Sequence, residues 1–240
     1  LLRAVDVDTC AKDAGIPLPM AGVVHDFGRV IAPARLCQHL ARSTPVIVDA
    51  KISGISRNDH GLLLMAQDGR QFSFDQIVVA TGAGLPETLR QLAITGVRVD
   101  ITTGHVSQIP QQPELNALKA GLSYGGYFTP CYNGFHELGA TFNRSGRVIG
   151  DYDALCHNRD LLPPTLRNIF NKLDSSSGRT SQRASTPDRN PVMGRLLADI
   201  YVLGAVGARG FTVAPLLGEY LAAQIAFLPK LFKPDHTGCT

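Results

Sequence analysis

Apolar residues recur along this chain with two different periods, and the places where the period changes mark out its elements. Residues 1–32 read as a short acidic segment followed by GIPLPMAG and VVHDFGRVIA, whose glycine and proline spacing predicts loops leading into a short strand pair. Pro33 then opens a helix over about 33–42, with Leu36, Cys37 and Leu40 on one face and proline tolerated in the first turn. Three β-type runs follow at 46–55, 62–66 and 72–80, with the turn residues Asp68 and Gly69 between the last two. The third run ends in IVVATGAG, a continuous apolar stretch that stops at Thr81, Gly82 and Gly84, as expected of a buried parallel strand delivering a tight loop. LPETLRQL continues from it as a short helix.

Residues 97–110, VRVDITTGHVSQIP, favour extended structure, and 122–142 read as two strands around a CYNGF turn, which together predict an antiparallel sheet. Over 153–172 the apolar positions Leu155, Leu161, Leu162, Leu166, Ile169 and Phe170 are interrupted by Pro163 and Pro164. Two helical pieces are therefore expected, closed by SSSG at 175–178. A strand at 179–186 ends in the PDRNP turn at 187–191, and IYVLGAV at 200–206 is a second strand of the buried type. The helix that follows sets Leu216, Leu217, Tyr220, Leu221, Gln224 and Ile225 on one wide face. The whole is a mixed α+β and α/β pattern without internal repeats.

Composition narrows this only a little. At 240 residues the chain can bury one large core or two small ones, and 44% hydrophobic against 18% charged residues excludes a disordered polymer. The net charge of +3 tolerates an anionic partner such as RNA without requiring one. Five scattered cysteines, Cys10, Cys37, Cys131, Cys156 and Cys239, form no CxxC pair, so neither a disulfide framework nor a metal site is indicated. They fit free thiols in a reducing cytoplasm. No apolar run reaches the roughly 20 residues that span a bilayer, so no membrane partner is expected. The chain opens without methionine in what reads as the middle of a domain, the mark of a piece of a longer protein.

Three motifs carry chemistry. The run VLGAVGARGFTVAP is strand, glycine-rich bend and helix, and such a helix start points unpaired N–H groups and a positive dipole end at an anion or an electron-rich carbonyl. An ordinary strand-to-helix connection has the same pattern. In VVATGAG, Gly82 and Gly84 let the backbone approach a ligand closely, but no GxGxxG occurs anywhere, so no pyrophosphate cradle can be named. QRASTPDRNPVMG sets Arg183 on a strand entering a rigid turn. There a guanidinium could hold a carboxylate in a bidentate fork, or simply be a surface arginine beside Arg179 and Arg189. Arg209 adds a second guanidinium within the glycine-rich bend.

Taken in order, GRVIAPARLC, GHVSQIP, GYFTPCYNGFHELGATF, TPDRNPVMG and GARGFTVAPLLGEYLA resemble the D-amino-acid/glycine oxidase-like flavoprotein superfamily. Within it they are most similar to the oxidase domain of the bifunctional tRNA 5-methylaminomethyl-2-thiouridine biosynthesis proteins. The resemblance covers nearly the whole chain. It implies FAD held between an incomplete Rossmann-like portion, 1–84 with 179–240, and an antiparallel-sheet substrate domain at 85–178. Ala80, Thr81, Gly82 and Gly84 would then line the adenine-to-phosphate side. Gly207, Ala208, Arg209, Gly210, Phe211 and Thr212 would meet the pyrimidine edge of the isoalloxazine. Arg183 and Arg209 would clamp the substrate carboxylate, and Tyr127 would line the substrate side of the flavin.

The implied reaction is oxidative removal of the carboxymethyl group from carboxymethylaminomethyl-uridine at the tRNA wobble position. tRNA is then the partner, and a methyltransferase domain is expected upstream in the full-length protein. This chemistry needs no metal and no side-chain nucleophile. The sequence departs from the family in lacking the GxGxxG turn, in His105 where a glutamine is usual, and in RNP after TPD. Two other readings stay open: an FAD-dependent oxidase of glycine, sarcosine or a D-amino acid, and a non-catalytic RNA-binding fragment. His105, His136 and Tyr132 stand either as site contacts or as satisfied structural residues.

Overall fold

The computed structural model describes residues 1–44, 46, 48–59, 61–146, 148–170 and 177–226. Cys239 and the expected helical and closing segment at 171–176 lie outside the described residues. The chain forms two compact units, one of residues 1–47 with 103–181 and one of 48–102 with 182–240. The expected segments 1–84 with 179–240 and 85–178 divide the chain elsewhere.

The first unit opens with β1 (Leu2–Val5), α1 (Val7–Ala14), β2 (Gly22–His25) and α2 (Pro33–Ala41). The chain then builds β3 (Ile52–Asn58), β4 (Gly61–Ala66), β5 (Gln71–Phe74), β6 (Ile77–Val79), a 3-10 turn at Gly82–Gly84 and α3 (Leu85–Gln91) in the second unit. Along β7 (Asp100–Pro110) it returns to the first, adding β8 (Leu122–Ser123), β9 (Tyr127–Phe128), β10 (Phe135–Gly139), α4 (Asp151–Asp160) and α5 (Pro164–Arg167). Finally β11 (Ser177–Ser185) leads to β12 (Val192–Leu197), β13 (Ile200–Gly204), a 3-10 turn at Gly207–Arg209 and α6 (Gly210–Ile225).

In the first unit β1 and β2 pair antiparallel; β2 falls within VVHDFGRVIA, where a strand is expected, but its partner β1 lies in the opening acidic segment, with α1 between them. Its start is a local signal: the Asp6 carboxylate accepts from the Thr9 N–H at 2.9 Å, and Gly15 closes it with φ 85°. The helix expected at 33–42 is α2, with none of its residues buried.

The main sheet runs β11-β7-β10-β9-β8. Alternation along β7 buries Thr103, His105, Ser107 and Ile109 on one face, where they meet the helices and a core of Phe128, Leu138, Leu155, Leu166 and Phe170. The CYNGF segment turns with Asn133 and Gly134 both at positive φ, 53° and 84°, the geometry an Asn-Gly hairpin turn requires.

That buried face is polar, and one residue ties it together. Asn158 of α4 is fully buried, and its Nδ2 lies 3.3 Å from the His105 carbonyl, 3.2 Å from Ser107 Oγ and 3.2 Å from the Leu138 carbonyl. One amide thus fastens α4 to both β7 and β10.

The second unit holds two sheets, β3-β4-β5 and β12-β13-β6. The extended run expected at 72–80 is two strands. Leu62–Met65 pair antiparallel with Gln71–Phe74, whereas Ile77–Val79 pair parallel with Ile200–Val202, so Asp75 and Gln76 are where the chain changes sheet. The strand expected from 46 begins only at Ile52, where pairing with Ala66 begins. β12 was not foreseen; it pairs antiparallel with β13. The core here is Leu62, Ile77, Val79, Leu85, Leu89, Ile200, Val202 and Ala205. Of the wide face expected on α6, Tyr220 and Leu221 are buried, while Leu216 remains 48% exposed.

Replacing Asn158 with alanine strands buried acceptors on two strands at once. Asn158→Ala is therefore expected to lower stability by about 2–3 kcal/mol in urea unfolding.

Candidate functional site

In the second unit the site candidates gather at one edge. β6 and β13 run parallel, with Ile200 opposite Ile77 and Val202 opposite Val79, so their carboxyl ends emerge side by side. From one comes Ala80–Gly84 and from the other Ala205–Arg209. Gly204, the last residue of β13, lets Leu85 settle against it: a Cβ there would meet Leu85 Cδ2 at 2.7 Å. The two turns are thereby packed together through the first residue of α3.

Both turns need glycine for backbone reasons. Gly82 has φ 57° and Gly207 φ 59°, the left-handed region that a side chain disfavours. A Cβ on Gly82 would meet nothing within 4 Å, so this turn presents bare backbone to open space. Gly210 differs: its φ is −51°, and a Cβ would meet Val206 Cγ2 at 2.9 Å. Close packing, rather than positive φ, requires glycine there.

The α6 N-terminus has no side-chain cap, and Phe211 and Thr212 in its first turn are exposed. Its leading N–H groups are thus available to an acceptor. Ala80, Thr81, Gly82, Gly84, Ala208 and Arg209 are exposed as well.

The two arginines approach the same bend. Ser185 bridges Val206, and Gly207 lies with its Cβ position 3.6 Å from Ser185 Cβ, which brings the end of β11 against the glycine-rich bend. Arg183 is two residues earlier on the same face of that strand, half-buried, opposite in direction to the buried Ala184. Arg209 donates from Nη2 to the Arg189 carbonyl at 2.9 Å, which ties the bend to the PDRNP turn. Within that turn the Thr186 hydroxyl, then the Asn190 N–H groups, hold the Asp188 carboxyl below the usual carboxylate range. Asp188 is thereby occupied by its own turn.

Tyr127 belongs to the first unit. It stands on β9 opposite Gly139 and lies across it, since a Cβ on Gly139 would come within 2.5 Å of Tyr127 Cζ. The histidines in the same unit are buried. His105 bonds through Nδ1 to the Thr180 hydroxyl at 2.9 Å and through its main-chain N–H to Thr141 Oγ1 at 2.9 Å. His136 bonds through Nδ1 to the Thr129 carbonyl and stacks on Phe128 with ring centroids 5.0 Å apart. Tyr132 is exposed, with the Arg35 guanidinium 5.4 Å from its ring centre. Among the described residues no three His, Cys, Asp or Glu side chains group as metal ligands, and no helix is long and apolar enough to cross a membrane.

Sequence reading missed the pair formed by Gln108 and Glu137, whose side chains bond at 2.9 Å on the same sheet face as Tyr127. The signal was the alternation in FHELG, where Glu137 falls between the buried His136 and Leu138.

Comparison with known proteins gives a consistent picture. The family model described as FAD dependent oxidoreductase matches residues 3–224. The tRNA 5-methylaminomethyl-2-thiouridine biosynthesis bifunctional protein MnmC of Idiomarina loihiensis is 28% identical over 235 residues, covering 93% of this chain and 38% of that protein. The protein of the same name from Nitrosospira multiformis is 29% identical over 244 residues, again 93% of this chain and 38% of that protein. The chain thus spans well under half the length of these relatives.

Among solved structures, glycine oxidase from Bacillus cereus ATCC 14579 superposes with a TM-score of 0.77 at 17% identity, over 96% of this chain and 67% of that one. Iminodiacetate oxidase (IdaA) from Chelativorans sp. BNC1 gives 0.74 at 18% identity, over 97% and 65%. At this identity the likeness establishes the fold.

The glycines make separable demands. Gly207→Ala is expected to cost about 1–2 kcal/mol from its positive φ alone. Gly210→Ala should destabilise through Val206 instead, so that Val206→Ala restores the thermal midpoint of the double variant but not that of Gly207→Ala.

Proposed function

This chain belongs to the FAD-dependent oxidoreductase family, and we propose that it serves as the oxidase portion of an enzyme that trims a modified wobble uridine in tRNA. The observation that carries this reading is the edge where the Gly82 and Gly207 turns emerge together from parallel strands, with open space in front of Gly82 and an uncapped helix beside it. Bare backbone and free N–H groups of this kind suit a large ligand carrying phosphates and an electron-rich ring.

In this reading Ala80, Thr81, Gly82 and Gly84 take the adenine-to-phosphate side of FAD. Gly207–Thr212 take the pyrimidine edge, where the positive end of the α6 dipole favours negative charge. When bound, the flavin supplies the oxidising power for removing hydride from a carbon next to an amine.

The chain's own residues then bind and orient. Arg183 and Arg209 grip the substrate carboxylate. A guanidinium fork holds both oxygens, and the anchor of Arg209 on the Arg189 carbonyl restrains one side of its fork. By the family resemblance Tyr127 would line the substrate side of the flavin; within its own unit its ring lies over Gly139. The substrate is the carboxymethylaminomethyl group of the uridine. Oxidation of its N–CH2–COO− carbon gives an imine, and water splits this into the aminomethyl uridine and glyoxylate.

The MnmC relatives support tRNA as the partner, and a methyltransferase domain upstream in the full-length protein follows from the same resemblance. The cytoplasm is the fitting compartment for such a protein.

Two measurements test this. Full-length protein should carry a flavin absorbance band and convert carboxymethylaminomethyl-uridine in tRNA to the aminomethyl form by nucleoside mass spectrometry. A flavin-free preparation would sink the reading, and peroxide production from free glycine, sarcosine or D-amino acids without action on tRNA would replace its substrate. Arg183→Lys is expected to slow oxidation by about 10- to 100-fold while leaving flavin content unchanged, since a fork becomes a point charge. Parallel loss of flavin and activity would remove Arg183 from the clamp.

A further inference from the structure

Charge is unevenly distributed within the first unit. No Asp or Glu occurs from residue 27 to 48 or from 115 to 136, whereas Arg29, Arg35, His39, Arg42 and Lys119 all fall in these two runs. The fold of the unit brings the runs together. A Cβ on Gly121 would meet Val30 Cγ2 at 2.7 Å, and the Arg35 guanidinium stands 5.4 Å from the centre of the Tyr132 ring.

The spacing in α2 gathers its charges on one side. Arg35, His39 and Arg42 stand at i, i+4 and i+7, which is one helix face, and all three are exposed, while Leu36 and Leu40 take the other side. The helix dipole favours the cations of the last turn but disfavours Arg35 in the first, where no acid offsets it. Arg29, just before the helix, is fixed by donating from Nη1 to the Asp26 and Gly28 carbonyls at 3.1 and 2.7 Å. Among the described residues no carboxylate comes within 4.0 Å of Arg29, Arg35, His39 or Arg42, and Asp26, the last acid before them, is ion-paired with Arg3 at 2.9 Å. Tyr132 is 48% exposed and is held in its hairpin by reciprocal main-chain bonds with Phe135 at 2.8 and 3.2 Å.

We propose that the basic face of α2 together with Tyr132 is a docking surface for a single-stranded segment of RNA. Phosphates pair with the unpartnered guanidinium groups, and an unstacked base lies against the ring of Tyr132 or the plane of Arg35. An acidic peptide would meet the charges but brings no planar base to the aromatic surface. The inference rests on the functional reading above for the identity of the RNA, a tRNA.

The test measures the affinity of the full-length protein for tRNA carrying carboxymethylaminomethyl-uridine over a range of salt concentrations. Arg42→Gln should weaken binding and lower the slope of log affinity against log salt by about 0.7, the share of one phosphate contact to a single strand. Tyr132→Leu should weaken binding about tenfold with the slope unchanged, and Tyr132→Phe, which keeps the ring, should bind as the unaltered protein does. Arg90→Gln removes an exposed charge already paired with Glu87 in the second unit, and should change neither quantity. Affinity and slope unaltered in both Arg42→Gln and Tyr132→Leu overturn the assignment, as does an equal loss of slope in Arg90→Gln, which would mark diffuse attraction. A change of oligomeric state in Arg42→Gln in place of a change in tRNA affinity puts a second copy on this face and overturns it too. A protein that binds tRNA through these residues yet holds no flavin fails the functional reading alone, and a flavin-bearing protein that oxidises the tRNA but ignores both substitutions fails this inference alone.

Discussion

Parallel pairing of Ile77–Val79 with Ile200–Val202 is the constraint on which the second unit depends. Had these strands met antiparallel, their glycine turns would emerge at opposite edges of the sheet. Because they are parallel, residues far apart in sequence arrive together, and the carboxyl edge becomes the place where bare backbone and a helix start coincide. A parallel connection needs a long crossover, and here the crossover contains the whole of residues 103–181. The pairing is held by apolar contact: Ile77, Val79, Ile200 and Val202 are buried with Leu85 and Leu89 of α3. Gly204 is small enough to admit Leu85 at the point where both turns begin.

The first unit solves a different problem. Its sheet turns a polar face inward, with Thr103, His105, Ser107 and His136 all buried. Buried polar groups cost stability unless paired, and the pairing here is partial: Thr103 Oγ1, Asn158 Oδ1 and the Nε2 atoms of His105 and His136 have no hydrogen-bond partner. Asn158 reaches two strands, Thr141 takes the His105 N–H, and Thr180 takes the imidazole. Gly178 is forced by the same packing, since any side chain there would collide with the His105 ring. The histidines that looked chemically suggestive in the sequence are both buried and bonded through Nδ1, and each keeps an unpartnered Nε2. The opposite face carries Tyr127, Gln108 and Glu137, and the Tyr127 ring has room because Gly139 carries no side chain.

Much of the fold was legible. Helices at Pro33–Ala41 and Leu85–Gln91, the two pieces broken by Pro163 and Pro164, and the Asn-Gly hairpin all follow from local stereochemistry that operates wherever such residues occur. What escaped depends on partners. The stretch 72–80 is continuously extended, and nothing local says that Phe74 belongs to one sheet and Ile77 to another. β12 contains Gly194 and Arg195 in a short run that becomes a strand because β13 lies beside it. α1 was overlooked although its Asp6 cap is a local signal. At the site, the glycine turns and the arginines were visible as motifs, but the reason for Gly210 was not: its neighbour Val206 is four residues away, and only the bend brings the two together.

By itself, then, the amino-acid sequence determined where the chain must turn, which segments can be helical or extended, and that two glycine bends each follow an apolar strand. These are consequences of dihedral freedom and hydrophobic periodicity, which act within a few residues. The tertiary structure alone decided that those bends share one edge and that Arg183 comes within two residues of a bridge to the second of them. It also decided that His105 and His136 face inward while Glu137 faces outward. Strand direction and register are set by which strand lies alongside and which face the core covers, and a one-residue change in register would exchange every one of those side chains between faces.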